Sequence, residues 1–398
     1  MRVLIADKLP DQARVRLASG GCTVKVEALS PDVLAAFDPD VLIVRSTKVK
    51  AEHLAAAPAL SLIVRAGAGV DNIDLAACSK RGIYVSNCPG KNAVAVAELA
   101  MGLILALDRR LPENTADLRA GKWNKKKYSV ARGLKGRTLG IIGLGGIGTE
   151  VARRAQAFGM NVIAWEKGAN DHPIGNVGMM PNPEEVARRS DVVSVHLALA
   201  PETRGFVGES VFREMKHGAL FINTARAEVV DETALINAMD TKGIRAGLDV
   251  FAGEPAVGEA DYVGVLASHP SVYGTHHIGA STDQAQEAVA DEACRITLTY
   301  KTHGTVPNCV NVAQRSAADH TLVVRHHDRV GVLAAILGVL REDSINVQEM
   351  ENVVFAGGAA ACARIQLHGS PTEGALARMR AHEDVFSVNV VKHDRPSA

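Results

Sequence analysis

Short apolar runs such as VLIV and LIVR alternate, from the start of the chain, with stretches in which apolar positions recur every three or four residues. Runs of the first kind suit strands covered on both faces, and the second spacing suits amphipathic helices. Strands are expected near 2–6, 22–27, 41–45, 61–66 and 83–86, with helices between them. That order predicts a parallel sheet flanked by helices. A longer helix is expected over 92–111. A second alternating series starts at Leu139 and continues through DVVSVHL, ALFINTA, IRAGLDVF and SVYGTHHI to about Gly279. Two doubly wound sheets of this kind leave a cleft at the carboxyl ends of their strands.

A further helix is predicted from about Thr282 to Tyr300, with Ala285, Val289, Ile296 and Tyr300 as its apolar stripe. PNCVNVAQRSAAD then reads as a strand-like piece running into a small, polar linker. The remainder reads strand (TLVVRHH), helix (VLAAILGVLRED), strand (INVQEMENVVF), strand (AAACARIQLH), helix (EGALARMRAH) and strand (VFSVNVV), a βαββαβ order. The expected fold class is α/β, with two doubly wound parallel-sheet domains and a small third unit.

Within the second series, LGIIGLGGIGTEVARRAQAFGMNVIAWE combines a strand, a glycine turn, a helix, a second strand and an acid. Gly143 permits the tight turn, Gly145 lets backbone approach a pyrophosphate, and Gly148 lets the helix pack on the strand. The helix N-terminus offers unpaired N–H groups and the positive end of a dipole. Glu166 stands where a carboxylate can bond the adenosine ribose hydroxyls. This Rossmann pattern points to NAD over NADP, whose 2′-phosphate would meet a like charge, although Lys167 keeps some NADP use open.

Composition narrows the class without changing this picture. The 398 residues suffice for two or three domains, and 47% hydrophobic content with zero formal net charge suits a globular protein. The charge balance gives no reason to expect nucleic acid as a partner. The longest apolar stretch, Leu99 to Leu107, is interrupted by Gly102 and too short to span a bilayer. MRVLIADKLP starts as a strand, without the n-region and h-region of a secretory signal. Cys22, Cys78, Cys88, Cys294, Cys309 and Cys362 lack metal-ligand spacing. They read as reduced, structural thiols in a cytoplasmic protein, with no metal site expected.

Three polar residues fall at or just after strand ends of the second sheet. Arg226, in INTARAEVVDE, can grip a carboxylate with two parallel hydrogen bonds. Glu254 lies in LDVFAGEP and a histidine in THHIGAST, and a carboxylate-paired imidazole can accept the proton of an alcohol being oxidised. Together they suit a 2-hydroxy acid passing hydride to nicotinamide. Strand alternation would send His276 and His277 to opposite faces, and residue chemistry alone does not choose between them.

GLGGIG, HLALAPETRG, INTARAEVVDE, LDVFAGEP and HHIGAST occur in the order and at about the spacing of the D-2-hydroxyacid dehydrogenases, and the chain resembles that family over nearly its whole length. The resemblance implies that Arg226 binds the substrate carboxylate, Glu254 partners the histidine, and His277 is the acid/base. It implies cofactor contacts at Ala68, Gly146, Ile147, Thr224, Asp249 and Gly279. A flavodoxin-like substrate domain would comprise 1–91 and 280–314, and a Rossmann NAD domain 92–279. VRSTKVK, RAGAGVDNID and CPGKNAVAVAEL resemble the family's substrate-lining segments, implying substrate contacts at Arg45, Ser46 and Asn92. Lys125 to Lys127 either supplement a phosphate site or form a solvated surface.

Residues 318–398 resemble an ACT domain, a module that senses small ligands, with effector contacts implied at His326, Asp328 and Asn346. Asp328 replaces a common Asn and Val330 a usual Pro, and a carboxylate is a poor neighbour for an amino acid's carboxylate. Subunit pairing is the alternative role. Elsewhere Ala227 replaces a usual Gly, Gly146 a common Arg and His276 a usual Pro. None of these removes a reacting group.

The ACT-like unit favours, within the family, NAD-dependent oxidation of 3-phosphoglycerate to 3-phosphohydroxypyruvate at the start of serine biosynthesis. A reductase of glyoxylate, hydroxypyruvate or another 2-oxo acid is the alternative enzyme. An NAD-sensing binding protein, similar to dehydrogenase-like corepressors, is the alternative of another class. The expected partners are the small-molecule substrate, an amino-acid effector and further copies of the chain in a homodimer or homotetramer.

Overall fold

Five short parallel strands open the computed structural model, which describes residues 1–168, 176–255, 259–313 and 316–393. They are β1 (Arg2–Ile5), β2 (Thr23–Val26), β3 (Val41–Val44), β4 (Leu62–Arg65) and β5 (Tyr84–Asn87), ordered β2-β1-β3-β4-β5. Because β1 lies between β2 and β3, the winding reverses there and opens a crevice at the carboxyl ends. One face of the sheet buries Leu4, Leu42 and Ile63 against Leu34 and Leu54. The other buries Val3, Ile43 and Val64 against Leu17 and against Val289, Ala293 and Ile296.

Those last residues belong to the helix Asp283–His303, capped by the Thr282 hydroxyl and ended by Gly304 in the left-handed region. The strand-like piece after it joins the sheet edge: Asn311 accepts from Val85 N at 2.8 Å, and Cys309 bridges antiparallel to Ser86.

The expected helix over 92–111 is in fact two, Ala93–Arg109 and Leu111–Arg119. Arg110 turns to φ 50°, and Pro112 starts the second helix because its ring cannot continue the first. The first helix packs Ala97, Ala100 and Ile104 against Val151 and Ala155 of the helix Gly146–Ala157.

The second sheet contains β6 (Thr138–Ile142), β7 (Asn161–Trp165), β8 (Val177–Met179), β9 (Val192–Val195), β10 (Leu220–Asn223), β11 (Arg245–Leu248) and β12 (Val272–Gly274). All are parallel, in the order β12-β11-β10-β9-β6-β7-β8, so the winding reverses between β6 and β9. The sequence pattern does not announce β8, which has three residues and a central glycine. The strand expected through SVYGTHHI stops at Gly274, and both histidines lie in the loop beyond it.

Two compact units result, Met1–Asn311 and Val312–Ala398. The second contains β13 (His320–His327), β14 (Asn346–Val354), β15 (Ala360–His368) and β16 (Val385–Lys392), antiparallel in the order β14-β15-β13-β16. The helices Val332–Glu342 and Glu373–Arg380 cover one face, packing Ile336, Leu340, Leu376 and Met379 on Leu322, Val324, Ile365 and Leu367. Position 314 and positions 394–398, within the expected domain bounds, lie outside the described residues. Among the described residues, no helix is long and apolar enough to cross a membrane.

Candidate active site

The glycine turn after β6 has the geometry a dinucleotide needs. Gly143 has φ 97°, and a Cβ there would lie 2.8 Å from His196 O. A Cβ on Gly148 would lie 2.2 Å from Gly143 O, so only glycine lets this helix approach the turn. Around Gly145 a Cβ would meet nothing within 4 Å, and at Gly146 it would touch only Ala93 Cβ at 3.9 Å, which leaves room for an approaching phosphate. Ile147 packs partly buried against the core beneath, and one Glu166 oxygen accepts from Leu144 N at 2.5 Å. Its other oxygen makes no hydrogen bond among the described residues. At the far end of the cleft, the buried Thr224 hydroxyl has no partner among the described residues. An open glycine cradle and an orphaned buried hydroxyl fit a bound dinucleotide.

Asp249, buried just after β11, shapes the loop that carries the histidines. Its Oδ1 accepts from the Thr275 hydroxyl at 2.6 Å and Ile278 N at 2.9 Å, and its Oδ2 from Gly279 N at 2.8 Å. Between these anchors His277 takes φ 52°. A non-glycine residue in that region costs on the order of 1–3 kcal/mol and persists only where its surroundings hold it. Strand alternation therefore does not apply to the pair. His277 Nδ1 donates to Glu254 Oε2 at 2.7 Å, whereas His276 has no such carboxylate among the described residues. The His277 Nε2 makes no hydrogen bond among the described residues.

Phe251 N holds the other Glu254 oxygen at 2.7 Å. Burial pushes the Glu254 carboxyl up, but the bonds from His277 and Phe251 N and the charges of His277 and Arg226 hold it below the usual carboxylate range. The carboxylate thus stays ionised opposite an imidazole whose remaining nitrogen can take a proton.

Arg226 follows β10, and Asn223, at the end of that strand, braces its main chain by donating to Arg226 O at 2.9 Å. Its Nη1 donates to Ala225 O at 2.8 Å, and its Nη2 and Nε donate to Asp71 Oδ1 at 3.1 and 3.4 Å. Asp71 comes from the first sheet's side of the cleft, 155 positions away. Burial raises its carboxyl, yet Arg226 and the neighbouring bonds keep it below the usual range.

Arg65, at the end of β4, stands close by with its Nε buried and unpartnered among the described residues. Burial, then the charge of Arg226, lowers its guanidinium to about 10; Asp71 and Cys88 oppose this and Arg45 adds to it. Arg45 Nη1 donates to Gln286 Oε1 at 3.3 Å. The charges of Arg226 and Arg45 therefore both bear on Arg65.

Asp71 and Arg65 are charged groups beside Arg226 that the sequence pattern does not single out. Both lie in or beside RAGAGVDNID, but no spacing marks an aspartate in a glycine-rich loop as the partner of a distant arginine.

The other expected residues are placed variously. Ser46, expected to face substrate, turns its hydroxyl to Asp7 at 3.1 Å. The half-buried Ala68 accepts from Asn87 through its carbonyl at 2.6 Å, and Asn92 sits at the start of the helix Ala93–Arg109. Lys125 to Lys127 are exposed, with Lys127 paired to Asp117 at 3.3 Å.

In the second unit, Asp328 and Asn346 are exposed, but His326 is buried. It is 1% exposed, with its ring nitrogens 2.7 Å from His327 O and 3.2 Å from Asn352 Oδ1. Its neighbours on β13 explain this, since His326 shares the helix-covered face with Leu322 and Val324.

Residues 101–279 match the family described as D-isomer specific 2-hydroxyacid dehydrogenase, NAD binding domain. The D-3-phosphoglycerate dehydrogenase of Rattus norvegicus is 40% identical over 297 residues, which are 73% of this chain and 55% of the rat protein. The chain thus spans about half the length of the curated relatives it matches. The crystal structure of the TT0316 protein from Thermus thermophilus is 34% identical with a TM-score of 0.69, covering 78% of this chain and 100% of that one. The NAD+-bound 3-phosphoglycerate dehydrogenase of Entamoeba histolytica is 28% identical with a TM-score of 0.65, covering 78% of this chain and 99% of that one.

Proposed function

We propose, from the premise that this chain belongs to the D-2-hydroxyacid dehydrogenase family, that it oxidises 3-phosphoglycerate to 3-phosphohydroxypyruvate, the first step of serine biosynthesis. The cofactor of the matched domain family is NAD, and when bound it supplies the hydride acceptor. Residues 92–279 would hold it, with Gly143, Gly145, Gly146 and Gly148 around the pyrophosphate, Glu166 at the ribose, and Thr224 towards the nicotinamide. Residues 1–91 and 280–314 would supply the rest of the substrate site.

The observation that carries the reading is the His277–Glu254 pair, 2.7 Å apart, on the same cleft as the Arg226 fork. Arg226 would grip the substrate carboxylate and set the hydroxyl-bearing carbon beside His277. His277 Nε2 would take the hydroxyl proton, while the ionised Glu254 stabilises the imidazolium that forms. Arg45 and Arg65 add positive charge on the same side, which favours an acid with a second anionic group over an unphosphorylated one. Relatives described as D-3-phosphoglycerate dehydrogenases support the same choice.

The test is a titration with 3-phosphoglycerate and NAD, following NADH absorbance, against a panel of glyoxylate, hydroxypyruvate and other 2-oxo acids with NADH. Strong preference for an unphosphorylated acid would refute the substrate assignment. Pairing of subunits, a cytoplasmic location and an amino-acid effector at the exposed Asp328 and Asn346 belong to the same proposal. Repeating the titration with and without serine checks the effector.

A further inference from the structure

One carboxylate outside the reacting groups receives five hydrogen bonds. Asp7 Oδ2 accepts from Arg45 N at 2.6 Å, Ser46 N at 3.1 Å and Thr47 N at 3.1 Å. Its Oδ1 accepts from the hydroxyls of Ser46 at 3.1 Å and Thr47 at 2.9 Å. Asp7 lies just past β1 and Arg45 directly follows β3; these strands are parallel neighbours, with Ile5 opposite Ile43. Their junction is where the winding of the first sheet reverses. Sheets of this topology open a ligand crevice there, and successive amides converging on one point form a nest for an anion. Here the chain's own side chain fills the nest. Burial pushes the Asp7 carboxyl up, but the bonds from Arg45, Thr47 and Ser46 hold it below the usual range, so it remains an anion.

We propose that Asp7 is a positioning residue, which fills the amide nest beside β1 and β3 and fixes the backbone of Arg45–Thr47 so that Arg45 meets the substrate's second anionic group. The inference rests on the oxidation of a phosphorylated hydroxy acid proposed above. An arginine side chain has many rotamers to lose on binding. A loop that also wanders would add to what must be ordered on binding. Arg45 acts on a part of the substrate remote from the reacting carbon. Loss of its anchor therefore weakens ground-state and transition-state binding alike and raises KM with little change in kcat. The loop is half-exposed, so water can replace Asp7 as acceptor, and its loss loosens the loop without unfolding the sheet.

The experiment compares Asp7→Ala, Asp7→Asn and Arg45→Ala, singly and with Asp7→Ala and Arg45→Ala combined. The Asn oxygen can still accept from the three amides, and its NH2 can donate to two hydroxyls that rotate to accept. Asp7→Ala should raise KM for 3-phosphoglycerate by about tenfold or more, with kcat within about threefold and KM for NAD unchanged. Asp7→Asn should stay within about threefold of the wild type, and Asp7→Ala should add less than about twofold on top of Arg45→Ala.

Amide hydrogen exchange across 45–47 should quicken in Asp7→Ala and not in Asp7→Asn. Folded Asp7→Ala protein with wild-type KM, or effects that multiply in the double variant, would overturn the proposal. Should the wild type turn over only an unphosphorylated acid, the substrate reading fails separately. Unchanged exchange at 45–47 in Asp7→Ala would then overturn the anchoring role by itself.

Discussion

Replacing Arg226 by Lys keeps the charge and removes the fork, which makes it the sharpest probe of substrate binding. A guanidinium has five N–H groups. Three are committed, one from Nη1 to Ala225 O and one each from Nη2 and Nε to Asp71. The remaining two, one on each terminal nitrogen, point along the end of the fork, and that edge suits a substrate carboxylate. Lysine has three donors on one atom and cannot hold Asp71 while presenting two parallel bonds. The loss is one charge-assisted hydrogen bond, about 1.5–3 kcal/mol. The Arg226 side chain is 23% exposed and its Asp71 partner 50%, so solvent screens part of the effect. The lower half of the range, about 1.5–2 kcal/mol, corresponds to a fall of roughly 10–30-fold in kcat/KM. Initial rates of NADH formation at varied 3-phosphoglycerate measure it, with KM for NAD as the internal control. Asp71→Asn should shift the same parameter by less, since the fork survives but loses its guide. An Arg226→Lys enzyme within about threefold of the wild type in kcat/KM would refute the fork argument.

His277→Ala should lower kcat by about a hundredfold or more at saturating substrates, and a smaller loss would remove His277 as the proton acceptor. Gly148→Ala should raise KM for NAD and lower the melting temperature, because its Cβ would sit 2.2 Å from Gly143 O; calorimetry and NAD titration report both. Glu292, 7% exposed, has a carboxyl held at about 2, first by hydrogen bonds from Arg295 and then, against burial, by the charges of Arg295 and Lys91 and by Asn308. A depressed carboxyl stabilises the fold above its ordinary titration range and loses that contribution as pH falls through the folded value. Glu292→Gln should therefore unfold more easily than the wild type near neutrality, by about 2–3 kcal/mol. In urea titrations that gap should narrow as pH falls below about 4.5, and a gap that stays constant into acid would contradict the assignment.

What the chain reveals in one dimension is what depends on near neighbours. Runs such as VLIV and the three glycines from Gly143 to Gly148 act within a few residues, so the sheets and the dinucleotide turn were legible. The positions of Arg226 and Glu254 were legible too, because each follows an apolar strand. The His277 loop was not, since its left-handed backbone is imposed by Asp249, 29 and 30 positions away from the amides it holds. Asp71 reaches Arg226 across 155 positions. Break points such as Arg110 escaped for the opposite reason: helical periodicity continues through LDRRLPEN until proline chemistry overrides it. The candidate reacting groups thus advertise themselves locally, while the groups that hold them in place do not. An acid soon after a strand is an ordinary loop charge in most chains. Asp7 becomes an acceptor for three amides only because its strand pairs in parallel with β3 and sets Ile5 opposite Ile43. Register, and not composition, converts it from a solvated charge into the acceptor that fills the amide nest.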